Sequence, residues 1–132
     1  MSQPPRLGEA LRTLTPGVGP CLLLLGPTTA DVDAVIAWCP PETDGFCLIE
    51  TADAAAQASA ALARAGVSHL HVITGDIVLR TAKVAGPFDL ILWCAPGPLP
   101  TSLAARLQSK LRANGRLLAV RSEACVEVAD VR

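Results

Sequence analysis

Residues 21–30 read CLLLLGPTTA. The run from Cys21 to Leu25 is apolar throughout, with no polar alternation, which predicts a strand buried on both faces. Gly26-Pro27 stops it. Thr28 or Thr29 then caps a helix running to about Cys39, with Asp31 and Asp33 favourable in its first turn. Val32, Val35 and Ile36 supply its buried stripe. Pro40-Pro41 forbids continuation. This strand–turn–helix unit sets the pattern that the rest of the chain repeats.

Residues 45–50, GFCLIE, read as a second strand. Asp53 caps an alanine-rich helix over residues 54–65, and Gly66 closes it. Residues 69–74, HLHVIT, form a third strand, and a short helical stretch over residues 77–84 comes after Asp76. Residues 88–94, FDLILWC, form a fourth. Thr101 or Ser102 caps a helix carrying Leu103, Leu107 and Leu111 at a spacing of four, with Arg106, Lys110 and Arg112 towards its C-terminal end. Asn114-Gly115 ends it, and residues 116–120 form a fifth strand. Alternation at this spacing predicts an α/β chain: a doubly wound, Rossmann-like, mostly parallel sheet of five to six strands, with right-handed crossovers and helices on both faces. Ligands of such sheets sit beyond the carboxyl ends of the strands, where the strand order switches.

Residues 1–20 hold a short helix, with Leu7, Leu11 and Leu14 on one face, broken by TPGVGP at residues 15–20. At the other end, residues 125–131, CVEVADV, offer one further strand, a hairpin with residues 116–120 through Ser122-Glu123-Ala124. Without it the fifth strand keeps an open edge, which invites pairing with another chain. A homodimer or a heteromeric protein partner is therefore expected.

At 132 residues the chain fits one domain, burying roughly two-thirds of its unfolded surface without disulfide or metal staples. A net charge of −1 with no basic run excludes the footprint of a nucleic-acid binder. Two Trp, two Phe and no Tyr leave little from which to build a base-stacking platform. The apolar run at residues 21–25 is far too short to span a membrane. Residues 1–6 lack the order of a signal peptide, so the expected location is the cytoplasm. Five cysteines, without a CxxC or a metal-like grouping, read as reduced structural thiols. His69 and His71 share one strand face, but no third metal ligand accompanies them.

At the strand ends the chain resembles the class I S-adenosylmethionine-dependent methyltransferases, from about residue 21 to 120. LLLLGPTTA (22–30) is similar to their first motif, a strand ending in an acidic residue and a glycine-rich turn. FCLIE is similar to their second strand, whose terminal acid binds the ribose hydroxyls, the place of Glu50. VITGDI (72–77) looks like their third-strand motif, in which an aspartate contacts the adenine amino group, the place of Asp76. GPFDLILWCAP (86–96) and LRANGRLLAV (111–120) are similar to their fourth-strand motif and their fifth-strand ending. The five stand in the family's order and spacing. The resemblance implies S-adenosylmethionine as cofactor, held by Gly26, Pro27, Thr28, Glu50, Thr51, Asp76, Ile77 and Cys94.

The departures fall mainly in the first motif. Leu24 stands at the acid position, and Thr28 and Ala30 stand where the family has later glycines. A β-branched Thr28 tolerates a positive φ poorly, so the turn changes shape or holds the ligand further away. Leu24 accepts no hydrogen bond from a cofactor. Asp31 and Asp33 complement the helix dipole and disfavour a pyrophosphate there. Read without the resemblance, Glu50 opens a helix, Asp76 caps one, Cys94 is a buried thiol and Trp93 packs under a helix. No catalytic residue and no metal ligand is assigned. The family's last strands and its substrate-covering insertions are missing from the pattern. Two functions are open: a degenerate, non-catalytic binding or assembly module keeping partial S-adenosylmethionine binding, or a minimal active methyltransferase for a small molecule.

Overall fold

The computed structural model describes residues 21–40, 42–95, 97–120 and 125–127. The expected helix over residues 7–14, the breaker at 15–20, the turn at 122–124 and the side chain of Cys125 lie outside the described residues. The elements run β1 (Cys21–Leu25), α1 (Thr29–Trp38), β2 (Asp44–Ile49), α2 (Ala52–Arg64), β3 (His69–Thr74), α3 (Ile77–Thr81), β4 (Phe88–Trp93), α4 (Thr101–Ser109), β5 (Leu111–Val120) and β6 (Cys125–Glu127). They build one six-stranded sheet in the order β3-β2-β1-β4-β5-β6. All neighbours are parallel except β5 and β6. The doubly wound α/β expectation is met, and the strand order switches between β1 and β4.

β1 lies at the centre because it is leucine on both faces. Leu22 and Leu24 enter the layer formed with α1 and α2, beside Val32, Val35, Ala58 and Leu62. Leu23 and Leu25 enter the opposite layer, with Ile77 of α3 and with Leu103 and Leu107 of α4. All four leucines are at most 1% exposed, and each contributes roughly 1.5–3 kcal/mol relative to exposure. The alanines of α2 face inward at Ala55, Ala58 and Ala61 and let that helix approach the sheet closely.

Several boundaries differ from the sequence reading for local reasons. α2 is capped by Thr51 rather than Asp53: Thr51 has an extended backbone, and its Oγ1 accepts from the Ala54 amide at 3.3 Å. Asp53 falls in the first turn instead. Neither Thr101 nor Ser102 caps α4, because Pro100, with φ −61° and ψ 140°, already sets the N-cap geometry and both residues are helical. α4 stops at Ser109, and the Lys110 carbonyl accepts from the Phe88 amide at 2.8 Å, which draws Leu111 into the sheet. Lys110 and Arg112 therefore serve the sheet end, not the helix dipole. The Lys110 ammonium donates to the Val84 carbonyl, and Arg112 pairs with Asp89 at 3.1 Å. β5 is irregular: its register passes from Phe88↔Leu111 to Leu90↔Arg116, and Asn114 takes φ +70° in the bulge. α3 ends at Thr81, short of Val84.

β6 pairs antiparallel with Leu118, Ala119 and Val120, as the expected hairpin requires. It covers that stretch of β5, and among the described residues β3 and β6 are the outer strands of the sheet. No helix among the described residues is long and apolar enough to cross a membrane.

Cys21, Cys39, Cys47 and Cys94 carry thiols rather than disulfides. Burial in the α1/α2 layer pushes the Cys47 thiol up to about 12 from an ordinary 9.0. Burial also raises Cys39 and Cys21. A raised pKa in the folded state means that the stability is whole below the unfolded value and is lost as pH climbs towards the folded one.

Two outcomes are expected. The urea midpoint should fall between about pH 9 and pH 11, by up to about 1.4 kcal/mol of stability per pH unit for one buried thiol. In Cys47→Ala the starting stability should be lower and the alkaline fall shallower; parallel pH curves would refute the assignment. Glycine positions give a second contrast. Gly45 has φ +133°, and an added Cβ would lie 1.9 Å from the Leu22 carbonyl oxygen, whereas Gly66, at φ +76°, has open space. Gly66→Ala should cost about 1–2 kcal/mol, while Gly45→Ala should cost more than about 4 kcal/mol or prevent folding, as read by urea unfolding.

Candidate functional site

The carboxyl ends of β1, β2, β3 and β4 converge beside the switch in strand order. Gly26 ends β1 with φ +67°, and its amide donates to the Leu48 carbonyl at 2.8 Å. The Cys94 amide donates to the Leu25 carbonyl at 2.8 Å, and the Gly75 amide to that of Ile49 at 3.0 Å. A Cβ on Gly26 would lie 2.7 Å from the Ala95 Cβ and 3.1 Å from the Ile77 Cδ1. Glycine is required at this position, both for its conformation and for the approach of β4 and α3.

The turn has changed shape beyond that point. Thr28 has φ −80° and ψ 170°, an ordinary extended conformation, so the glycine of the resembling motif is not needed there. Its Oγ1 accepts from the Asp31 amide at 3.2 Å, and the Asp31 carboxylate accepts from the Thr28 amide at 3.0 Å. This reciprocal capping box uses both amides to start α1. Asp31 is 4% exposed and belongs to the cap, in line with the helix-dipole reading. Asp33 is exposed.

Between the strand ends lies a cleft of about 270 Å³. β1 contributes Gly26 and Pro27 through its following turn, and the end of β2 contributes Ile49, Glu50 and Thr51. The start of α3 contributes Asp76, Ile77 and Val78, and the end of β4 contributes Trp93 and Ala95. Six of the residues singled out from sequence thus meet in one cleft: Gly26, Pro27, Glu50, Thr51, Asp76 and Ile77.

Two do not. Thr28 caps α1 and is not part of the cleft wall. Cys94 is 4% exposed and packs in the opposite layer with Leu24 and Leu92. Side chains alternate along a strand, so Trp93 and Ala95 face the cleft layer and Cys94, between them, faces away. Trp93 packs in the layer under α3 and α4, as expected, and also lines the cleft, its Nε1 donating to the Gly97 carbonyl at 3.2 Å. Counting by twos from Ile91 would have found it.

The polar groups of the cleft are carboxylates and a hydroxyl. Glu50 is exposed and makes no hydrogen bond or ion pair among the described residues. Asp76 caps α3, its Oδ1 accepting from the Leu79 amide at 3.0 Å, which leaves Oδ2 as an acceptor. The Thr51 hydroxyl is engaged as the α2 cap. Ile49, Ile77, Val78, Trp93 and Ala95 make the remaining wall apolar, and no lysine or arginine among the described residues lines it. The set suits a flat, apolar-faced ligand that presents hydrogen-bond donors to two acids. No group of three or more metal-ligating side chains occurs among the described residues. His69 and His71 are exposed on β3, with the His71 ring 6.0 Å from that of Phe46.

No family model and no curated protein matches the chain. Solved structures do. A methyltransferase from Geobacter sulfurreducens aligns over 91% of this chain and 62% of its own, at 15% identity and a TM-score of 0.73. The precorrin 8W decarboxylase of Methanobacterium thermoautotrophicum aligns over 90% of this chain and 63% of its own, at 15% identity and a TM-score of 0.70. A SAM-dependent methyltransferase from Thiobacillus denitrificans, solved in complex with S-adenosyl-L-homocysteine, aligns over 89% of this chain and 48% of its own, at 17% identity and a TM-score of 0.67. The chain spans less than two thirds of the length of each. With its strand order and its cleft at the β1/β4 switch, it has a methyltransferase-like Rossmann fold.

Proposed function

We propose that this chain is a methyltransferase-fold binding module that holds the adenosine end of S-adenosylmethionine, or of its demethylated product, without transferring a methyl group. The observation that carries the reading is the meeting of Glu50 and Asp76 across one cleft at the strand-order switch. Glu50 is the acceptor for ribose hydroxyls, and Asp76 Oδ2 for an adenine amino group, with Ile77 and Trp93 offering apolar surface to the base. The bound product in the Thiobacillus denitrificans neighbour adds support for this ligand class.

The non-catalytic part rests on what the cleft lacks. Leu24 is 1% exposed in the α1/α2 layer and brings no acceptor. With Cys94 turned away, the end of β4 contributes, among the described residues, Trp93 and Ala95 to the cleft. One observation favours a second reading, a minimal active methyltransferase acting on a small molecule. Both acids remain at the cleft, and methyl transfer depends mostly on positioning donor and acceptor. In either reading the protein is cytoplasmic and pairs with a second copy or another protein through the outer sides of β3 or β6.

Titration calorimetry with S-adenosylhomocysteine tests the reading. Binding in the micromolar range is expected, weakened about 10- to 100-fold in Glu50→Ala through loss of a charge-assisted hydrogen bond. Asp33→Ala, on the exposed side of α1, should leave it unchanged. Absence of binding at high micromolar concentration would sink the proposal, and methyl transfer to any small acceptor would favour the second reading.

A further inference from the structure

Resting on the pairing proposed for the outer strands, and independently of what the cleft binds, we infer that the chain forms a two-fold homodimer through antiparallel pairing of its β3 edges. The two sheets then join into one.

β3 is the outer strand of the described sheet and pairs with β2 over six consecutive residues, His69 to Thr74, without a shift of register. In a parallel ladder the backbone groups of a strand turn to its two sides in alternation. The Gly75 amide donates to the Ile49 carbonyl at 3.0 Å. Counting back by twos, the amides of Ile73, His71 and His69 turn to β2, and those of Leu70, Val72 and Thr74 point outward. His69, His71 and Thr74 are exposed, and Val72 and Ile73 are half-buried. Lysine, proline, a bulge or a short run protects a sheet edge from pairing. The stretch HLHVIT has no lysine, proline or carboxylate, and its register is unbroken. β6, by contrast, is three residues long and ends on Glu127.

A second copy is the occupant because the strand and its flanking helix complement themselves. A two-fold axis normal to the sheet at Val72 sets that residue against Val72 of the partner subunit. Leu70 then meets Thr74 of the partner subunit, and His71 meets Ile73 of the partner subunit. The outward N–H and C=O groups face one another, and β-branched side chains pair across the seam without a carboxylate, lysine or arginine from either strand. α2 packs in the same layer as Leu70 and Val72. The axis runs it antiparallel to its copy, with the acidic first turn at Asp53 towards the basic last turn at Arg64 of the partner subunit. Between those ends its exposed Ala56, Ser59, Ala60 and Ala63 are small enough for the two helices to lie side by side.

The experiment is sedimentation velocity of the full chain over a concentration series, with residue-resolved amide exchange at both ends of the series. A monomer–dimer equilibrium is expected. In the concentrated sample the Val72 and Thr74 amides should exchange at least about tenfold more slowly than in the dilute one, while those of His71 and Ile73, held by β2, change little. Val72→Pro removes an outward donor without touching the β2 ladder and should abolish the dimer. His71→Lys, at an exposed position, should fold normally and weaken the dimer by about three- to tenfold, by bringing two like charges to the seam. A dimer whose concentration-dependent protection falls on β6 would overturn the inference and leave the pairing of outer strands standing. A monomer at every concentration would overturn both.

Discussion

Gly26 is the point on which the strand ends depend. Its left-handed backbone turns β1 away from the sheet, and its amide ties that turn to β2 through the Leu48 carbonyl. The space a side chain would occupy is filled by Ala95 from β4 and Ile77 from α3. Three elements, β2, β4 and α3, therefore approach one backbone position at the end of β1, and the cleft exists because they converge there. The leucines of β1 make this possible: buried on both faces, they fix the strand against two helical layers. A strand anchored by packing on both sides can carry a constrained turn at its end.

Immediately after Gly26, the start of α1 is a local solution with a functional consequence. Thr28 and Asp31 close a capping box that stabilises the start of the helix by satisfying amides that would otherwise point outward. Those amides are the groups from which a helix N-terminus makes an anion site. Of these amides the capping box takes those of Thr28 and Asp31, and the Asp31 carboxylate adds a negative charge beside the rest. The acids on the β2 and β3 side of the cleft are unaffected, because Glu50 and Asp76 arise from different strand ends. The two sides of the cleft can therefore differ in what they recognise.

Most of the fold was legible in the sequence. Apolar runs without alternation marked β1 and β4, Gly66 and the alanines marked α2, and the CVE segment marked β6. The boundaries that moved did so because a backbone group found a nearby partner: Thr51 reached the Ala54 amide, and the Lys110 carbonyl met the Phe88 amide. Such choices depend on atoms brought together only in three dimensions. The cleft was legible wherever a strand end supplies a turn residue, as at Gly26, Glu50 and Asp76. At β4 the residues read alone gave a buried Cys94 and a helix-covered Trp93, as found, whereas the resemblance placed Cys94 at the cleft, where the one-residue alternation puts Trp93 instead. The shape of the turn at Thr28 was left open between two outcomes, and its extended backbone decides for a changed turn.

The central claim is that the strand-end cleft receives a nucleoside. Amide chemical shifts of isotopically labelled protein titrated with adenosine test it most directly. The account predicts saturable shifts at Gly26, Glu50, Asp76 and Ile77, with His69, His71 and the α4 amides unmoved. Unchanged spectra, or shifts centred on the outer side of β3 or on α4, would contradict it.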